Sequence, residues 1–112
     1  MTSPLPISAL YTQHAAHYAR LFEDRDFVAQ VKFLSSTCKW PRNPSVLEMF
    51  AGPAFHAKAC RQTLGASVRC IDASSQMQEQ ASLDGAIESG EYHVAMLPEA
   101  LSHLSFDRPF DV

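Results

Sequence analysis

Val46-Leu47-Glu48-Met49-Phe50-Ala51-Gly52-Pro53-Ala54-Phe55-His56-Ala57 decides the fold. Residues 45–50 form a short, largely apolar run of the kind a buried parallel strand requires. Ala51-Gly52-Pro53 then turns the chain. Over residues 53–64 the apolar positions Ala57, Cys60 and Leu64 recur on one helical face, while Lys58, Arg61 and Gln62 take the other. Gly65 is the expected C-terminal stop. The stretch therefore reads as strand, turn and helix, with the helix laid on a sheet.

The same alternation continues downstream. Val68-Arg69-Cys70-Ile71-Asp72 is a second short strand ending in a carboxylate, and Ser74 or Ser75 caps a helix running to Leu83 before Asp84-Gly85. Tyr92-His93-Val94-Ala95-Met96 makes a third strand. Residues 97–109 read as a loop with at most one helical turn, and Phe110-Asp111-Val112 begins another apolar strand. Strand, helix, strand, helix, strand predicts an α/β fold with a Rossmann-like, doubly wound parallel sheet. Upstream, Leu10, Ala15, Tyr18 and Phe22 lie at helical spacing over residues 8–22. Glu23-Asp24-Arg25-Asp26 then places carboxylates before a second helix through Phe27, Val31 and Leu34 to about Cys38. Pro41 and Pro44 break the chain, so residues 1–44 form a helical preface and residues 45–112 the sheet domain.

Composition narrows the partners. The chain has 112 residues, 9 basic and 12 acidic, for a net charge of −3. That balance weighs against a mainly electrostatic grip on nucleic acid or an anionic membrane. No apolar run approaches bilayer length, and the first basic residue is Arg20, so neither a membrane partner nor a secretory leader is expected. Cys38, Cys60 and Cys70 are odd in number with no close pair, which fits a reducing, cytoplasmic setting. A content of 46% hydrophobic residues supports one core.

In doubly wound sheets ligands sit beyond the carboxyl ends of the strands, at the switch point beside the first strand. Glu48 stands near the end of strand one, Gly52 in the turn, and Asp72 at the end of strand two, 72 − 52 = 20 residues after that glycine. A carboxylate at this spacing accepts hydrogen bonds from ribose hydroxyls, so a nucleoside ligand is expected.

Here the residues resemble the class I S-adenosylmethionine-dependent methyltransferases. Their first motif, acid-x-Gly-x-Gly-x-Gly, stands as Glu48-Met49-Phe50-Ala51-Gly52-Pro53-Ala54, with Phe50 and Ala54 at the outer glycine positions. Their second, an acid followed by x-Ser-x-x-Met, is matched in full by Asp72-Ala73-Ser74-Ser75-Gln76-Met77. Tyr11, Ala15 and Tyr18 followed by Leu21-Phe22 resemble the family's leading helix, and Phe110-Asp111-Val112 its approach to strand four. The resemblance implies S-adenosyl-L-methionine as cofactor, a methyltransferase as the full-length protein, and this chain as its cofactor-binding portion. It implies a fold truncated after the start of strand four, with two leading helices. The methyl acceptor and the catalytic residues stay open, because the family's substrate side is built from strand four onward.

The resemblance also assigns roles. Phe50, Ala51 and Gly52 would bring the turn against the methionine part of the cofactor, and Glu48 would hold its ammonium. Asp72, with Ala73 beside it, would accept the ribose hydroxyls. Met77 would cover an adenine face, and Ala95, Met96 and Leu97 would border the adenine edge. Ala95 stands where many relatives have an acid. Tyr11 and Tyr18, seven positions apart, would close over the sulfonium.

Plainer roles compete at each position. Glu48 and Asp72 can cap neighbouring helices, Tyr11 and Tyr18 can pack the leading helix, and Phe50, Met77 and Met96 can be core. His14 and His17 lack a third metal ligand, so no metal is expected. His56 reads as solvated, and Cys60 and Cys70 as small core groups. Two other functions share these features: a dinucleotide-binding oxidoreductase module, and a non-enzymatic interaction module. In the second, a homo-oligomer or a missing C-terminal half completes the open sheet edge.

Overall fold

The computed structural model describes Ala9, residues 11–106 and residues 109–112. Its elements are α1 (Ala15–Phe22), α2 (Phe27–Thr37), β1 (Ser45–Met49), α3 (Phe55–Leu64), β2 (Ser67–Asp72), α4 (Ser75–Leu83) and β3 (Tyr92–Val94), followed by a 3-10 turn at Glu99–Ser102. β1, β2 and β3 form a parallel sheet in that order. Successive right-handed crossovers moving the same way across a sheet put α3 and α4 on one face. α2 packs on α3, and α1 on α4.

The strand alternation shows why. Val46, Val68, Cys70 and Tyr92 point into one buried cluster with Ala57, Ala59 and Cys60 of α3 and Ala81 of α4. Val46 is in register with Val68, and Cys70 with Tyr92, so these side chains form one layer beneath the helices. Small residues on α3 let the helix sit close to the strands. Both thiols in this layer are held protonated. Burial, assisted by Glu48, pushes Cys60 up to about 11 and raises Cys70 further.

Local chemistry sets the ends. Asp26 caps α2 by accepting from the Ala29 N–H at 2.9 Å, and Ser74, of the two serines, caps α4 by accepting from the Met77 N–H at 3.1 Å. Gly65 closes α3 in the left-handed conformation. Three expected bounds shift. α3 starts at Phe55 rather than residue 53, because Ala54 adopts φ +62 and cannot join the helix. β3 stops at Val94 rather than Met96: β2 ends at Asp72, whose carbonyl accepts the last rung from Ala95 at 2.9 Å. α1 starts at Ala15; the expected positions Ser8 and Leu10 lie outside the described residues.

The segment expected to open a fourth strand runs along the free edge of β1. The Leu47 N–H donates to Val112 O at 3.0 Å, and the Val112 N–H donates to Ser45 O at 3.2 Å, which is a parallel pairing. The Asp111 carboxylate accepts from the Ser45 N–H at 2.8 Å. Residues 111–112 and β2 thus flank β1 on opposite sides, which makes β1 the point where the strand order reverses.

The turn after β1 is the most constrained backbone in the sheet. Phe50, Gly52 and Ala54 have φ of +54, +54 and +62, so all three glycine positions of the motif adopt the left-handed conformation although two carry side chains. A Cβ on Gly52 would meet Met77 Sδ and a Tyr18 ring carbon at 4.0 Å, ordinary contact distances. Gly52→Ala is therefore expected to destabilise through backbone strain alone, by about 1–2 kcal/mol in urea unfolding. A loss within about 0.5 kcal/mol would contradict the strain argument.

Candidate functional site

The turn opens on a cavity of about 570 Å³ at the carboxyl end of β1. That is the size of a pocket for a small organic ligand. Because β1 and β2 are parallel and Met49 is in register with Ile71, Glu48 and Asp72 emerge at the same end of the sheet. Alternation puts both on the helix-covered face. They form the acidic floor of the cavity.

Each carboxylate also holds backbone. Asp72 Oδ2 accepts from the Gly52 N–H at 2.9 Å and Oδ1 from the Ser74 N–H at 3.0 Å, so one side chain fixes both the turn and the start of α4. Glu48 Oε1 accepts from the Ala57 N–H at 3.0 Å. Ala54, at the cap position of α3, has no side-chain acceptor, and the strand supplies one instead. A carboxylate oxygen offers about two acceptor directions, so these bonds leave capacity for a ligand.

Aromatic rings build the opposite wall. Tyr11 and Tyr18 have centroids 5.3 Å apart, Tyr18 and Phe22 4.9 Å, and the Arg25 guanidinium lies 4.4 Å from the Phe22 centroid. Ser74 Oγ donates to the Tyr11 carbonyl, tying the segment before α1 to the cap of α4. Desolvation raises the Tyr18 pKa, helped by Tyr11 and Asp72 and opposed by Arg25, so the phenol is neutral.

Of the twelve residues expected at the site, ten line the cavity: Tyr11, Tyr18, Glu48, Phe50, Ala51, Gly52, Asp72, Ala73, Met96 and Leu97. Met77 and Ala95 do not. Met77 is fully buried, its sulfur 4.0 Å from where a Cβ on Gly52 would sit, a point equally close to the Tyr18 ring. Ala95 is occupied in the last β2–β3 rung. Phe50 is 71% exposed and Met96 65%, so both stand at the cavity's lip rather than in the core.

Several residues not expected at the site also line the cavity: Phe22, Arg25, Phe27, Phe55 and His56. Phe27 and Phe55 stack at 4.8 Å, joining α2 to the start of α3. His56, expected to be solvated, keeps 45% of its side chain exposed and also makes two contacts, Nε2 2.8 Å from Gln30 Oε1 and Nδ1 3.4 Å from Glu48 Oε2. These contacts have a local cause: the left-handed Ala54 starts α3 directly over the end of β1, which turns its first residues toward Glu48. Tyr92 was also not singled out beyond its strand. Its buried hydroxyl donates to Gly52 O at 2.7 Å, and burial, with Asp72 the next cause, raises its pKa. Tyr92→Phe is expected to cost about 1–2 kcal/mol, because it leaves the Gly52 carbonyl without its donor. Thermal unfolding at matched pH checks this; an unchanged midpoint would show that the turn does not depend on the hydroxyl.

Among the described residues no group of three or more histidine, cysteine or acidic side chains is placed to hold a metal ion. His14 and His17 have ring centroids 5.6 Å apart. No described helix is long and apolar enough to cross a membrane. Comparison with protein-family models, curated proteins and solved structures returns no match to this chain.

Proposed function

We propose that this chain is the S-adenosyl-L-methionine-binding portion of a methyltransferase. One observation carries the reading: left-handed backbone at residues 50, 52 and 54, bonded through Gly52 to the Asp72 carboxylate, faces a nucleoside-sized cavity at the switch point. The cavity's chemistry fits the group. Asp72 offers acceptors to ribose hydroxyls and Glu48 offers one to an ammonium, while Tyr11 and Tyr18 present aromatic faces to a sulfonium. Bound there, the cofactor supplies an electrophilic methyl on a good leaving thioether. What the chain supplies is position: the turn and its Asp72 and Tyr92 anchors hold the floor, and the rings before and within α1 exclude water from above. The methyl acceptor and the residues that bind it are not assigned.

Calorimetric titration with S-adenosylhomocysteine tests this. Uptake of one equivalent is expected, with none of a nicotinamide dinucleotide; the reverse result would favour an oxidoreductase module. That rival is disfavoured because Gly52 is the one glycine in the turn and Phe50 and Ala54 bring side chains where a pyrophosphate needs bare backbone. A second reading, a non-enzymatic module of the same fold, draws on the backbone bonds already made by Glu48 and Asp72. Absence of either ligand in the titration would favour it.

A further inference from the structure

The start of α3 brings His56 to Glu48, and its ring packs edge-on against Phe27 at 4.9 Å. His56 Nε2 is hydrogen-bonded to Gln30 Oε1 at 2.8 Å, and Nδ1 lies 3.4 Å from Glu48 Oε2, an ion-pair distance that becomes attractive when the ring is protonated. The neutral ring keeps the Gln30 bond and loses that charge attraction; the imidazolium has both. The oxygen involved matters, because Oε1 of Glu48 already accepts from the Ala57 N–H while Oε2 receives no backbone donor among the described bonds. Oε2 is therefore the more open of the two oxygens for a ligand's ammonium.

We infer that protonated His56 occupies Glu48 Oε2 in competition with the ammonium of the bound cofactor, which makes cofactor affinity rise with pH. The inference rests on the proposed cofactor reading and adds a regulatory group to that site. His56 acts on the ligand through Glu48. Gln30 anchors its far side, so the position of α2 decides whether the ring can reach Glu48. The groups facing the ring are Glu48 from β1, and uncharged Gln30 and the Phe27 ring edge from α2. Arg25, before α2, and Asp72, at the end of β2, line the same cavity with opposite charges.

The direction of the effect follows from linkage. The Glu48 contact raises the His56 pKa above its ordinary 6.5, against the opposing pull of partial burial. A positive ligand group at Oε2 favours the neutral ring, so binding releases a proton from His56 and affinity climbs as pH passes through its midpoint. Above about pH 7.5 the ligand's own α-amino group begins to deprotonate, which sets the upper limit of the window.

Titrating the full chain with S-adenosylhomocysteine at about pH 6 and about pH 7.5 tests the inference, because a displacement of about one pKa unit corresponds to about tenfold in affinity. The native chain is expected to bind several-fold more tightly at the higher pH, and His56→Gln to bind equally at both. A proton-resolved NMR titration of His56 in the native chain supplies the reciprocal readout without a mutation: saturating ligand should lower its midpoint. Uptake with the same pH slope in His56→Gln, or a midpoint that the ligand leaves unmoved, would overturn the competition while leaving the cofactor reading intact. Absence of uptake at both pH values would sink both.

Discussion

Asp72→Ala is expected to lower the unfolding free energy by about 3 kcal/mol and to abolish measurable uptake of S-adenosylhomocysteine. The first effect arises because one carboxylate serves two partly buried backbone donors, Gly52 N–H and Ser74 N–H, at 2.9 and 3.0 Å. Hydrogen bonds to a charged acceptor contribute about 1.5–3 kcal/mol each, and partial exposure puts these at the lower end. Losing them frees the turn and the lead into α4 together. Binding suffers separately, because the ribose hydroxyls lose their acceptor and the turn that should meet the ligand loses its anchor. Asp72→Asn divides the two effects. It keeps one acceptor oxygen but turns an amide toward the other N–H, so a smaller loss of stability with a comparable loss of binding is expected. Urea unfolding and calorimetry on both variants decide the matter. An alanine variant as stable as its parent would remove Asp72 from the architecture, and one that binds as well would remove it from the site.

Met77→Ala should cost stability comparable to Asp72→Ala, with a small direct effect on the site. The side chain is fully buried, and its sulfur lies 4.0 Å from where a Cβ on Gly52 would sit, so it packs against the turn. Truncating a buried methionine costs about 2–5 kcal/mol, a large share of the roughly 5–15 kcal/mol that holds a typical domain. Met77→Leu keeps the volume and should cost less than about 1.5 kcal/mol. Because Met77 does not line the cavity, Met77→Leu is expected to leave S-adenosylhomocysteine affinity within about twofold. A leucine variant that kept its stability but lost affinity would return Met77 to the adenine face that the motif assigns it.

The contrast between Asp72 and Met77 shows where a motif stops being informative. Both belong to one matched pattern, Asp72-Ala73-Ser74-Ser75-Gln76-Met77. The strand end delivers Asp72 to the cavity, whereas Ser74 starts α4 and turns Met77 into the core. A helix places residues by rotation, so a shift in where it begins decides which side of the turn a side chain reaches.

The strand, turn and helix order, carboxylates ahead of the second helix, a serine cap at residue 74 or 75, the stop at Gly65 and the twenty-residue step from Gly52 to Asp72 were all legible in the sequence; which residue caps each helix was not. They depend on periodicity and on residues close in the chain, which local sterics and hydrogen bonding settle. The tertiary structure alone decided the rest. It kept the backbone left-handed at Phe50 and Ala54, where side chains oppose it, because Asp72 and Tyr92 clamp the turn from 20 and 40 residues away. It brought Gln30 to His56 across 26 residues, and set residues 111–112 beside β1 across more than 60. Contacts of that separation leave no period to read; they arise only once the strands align and the helices close over them.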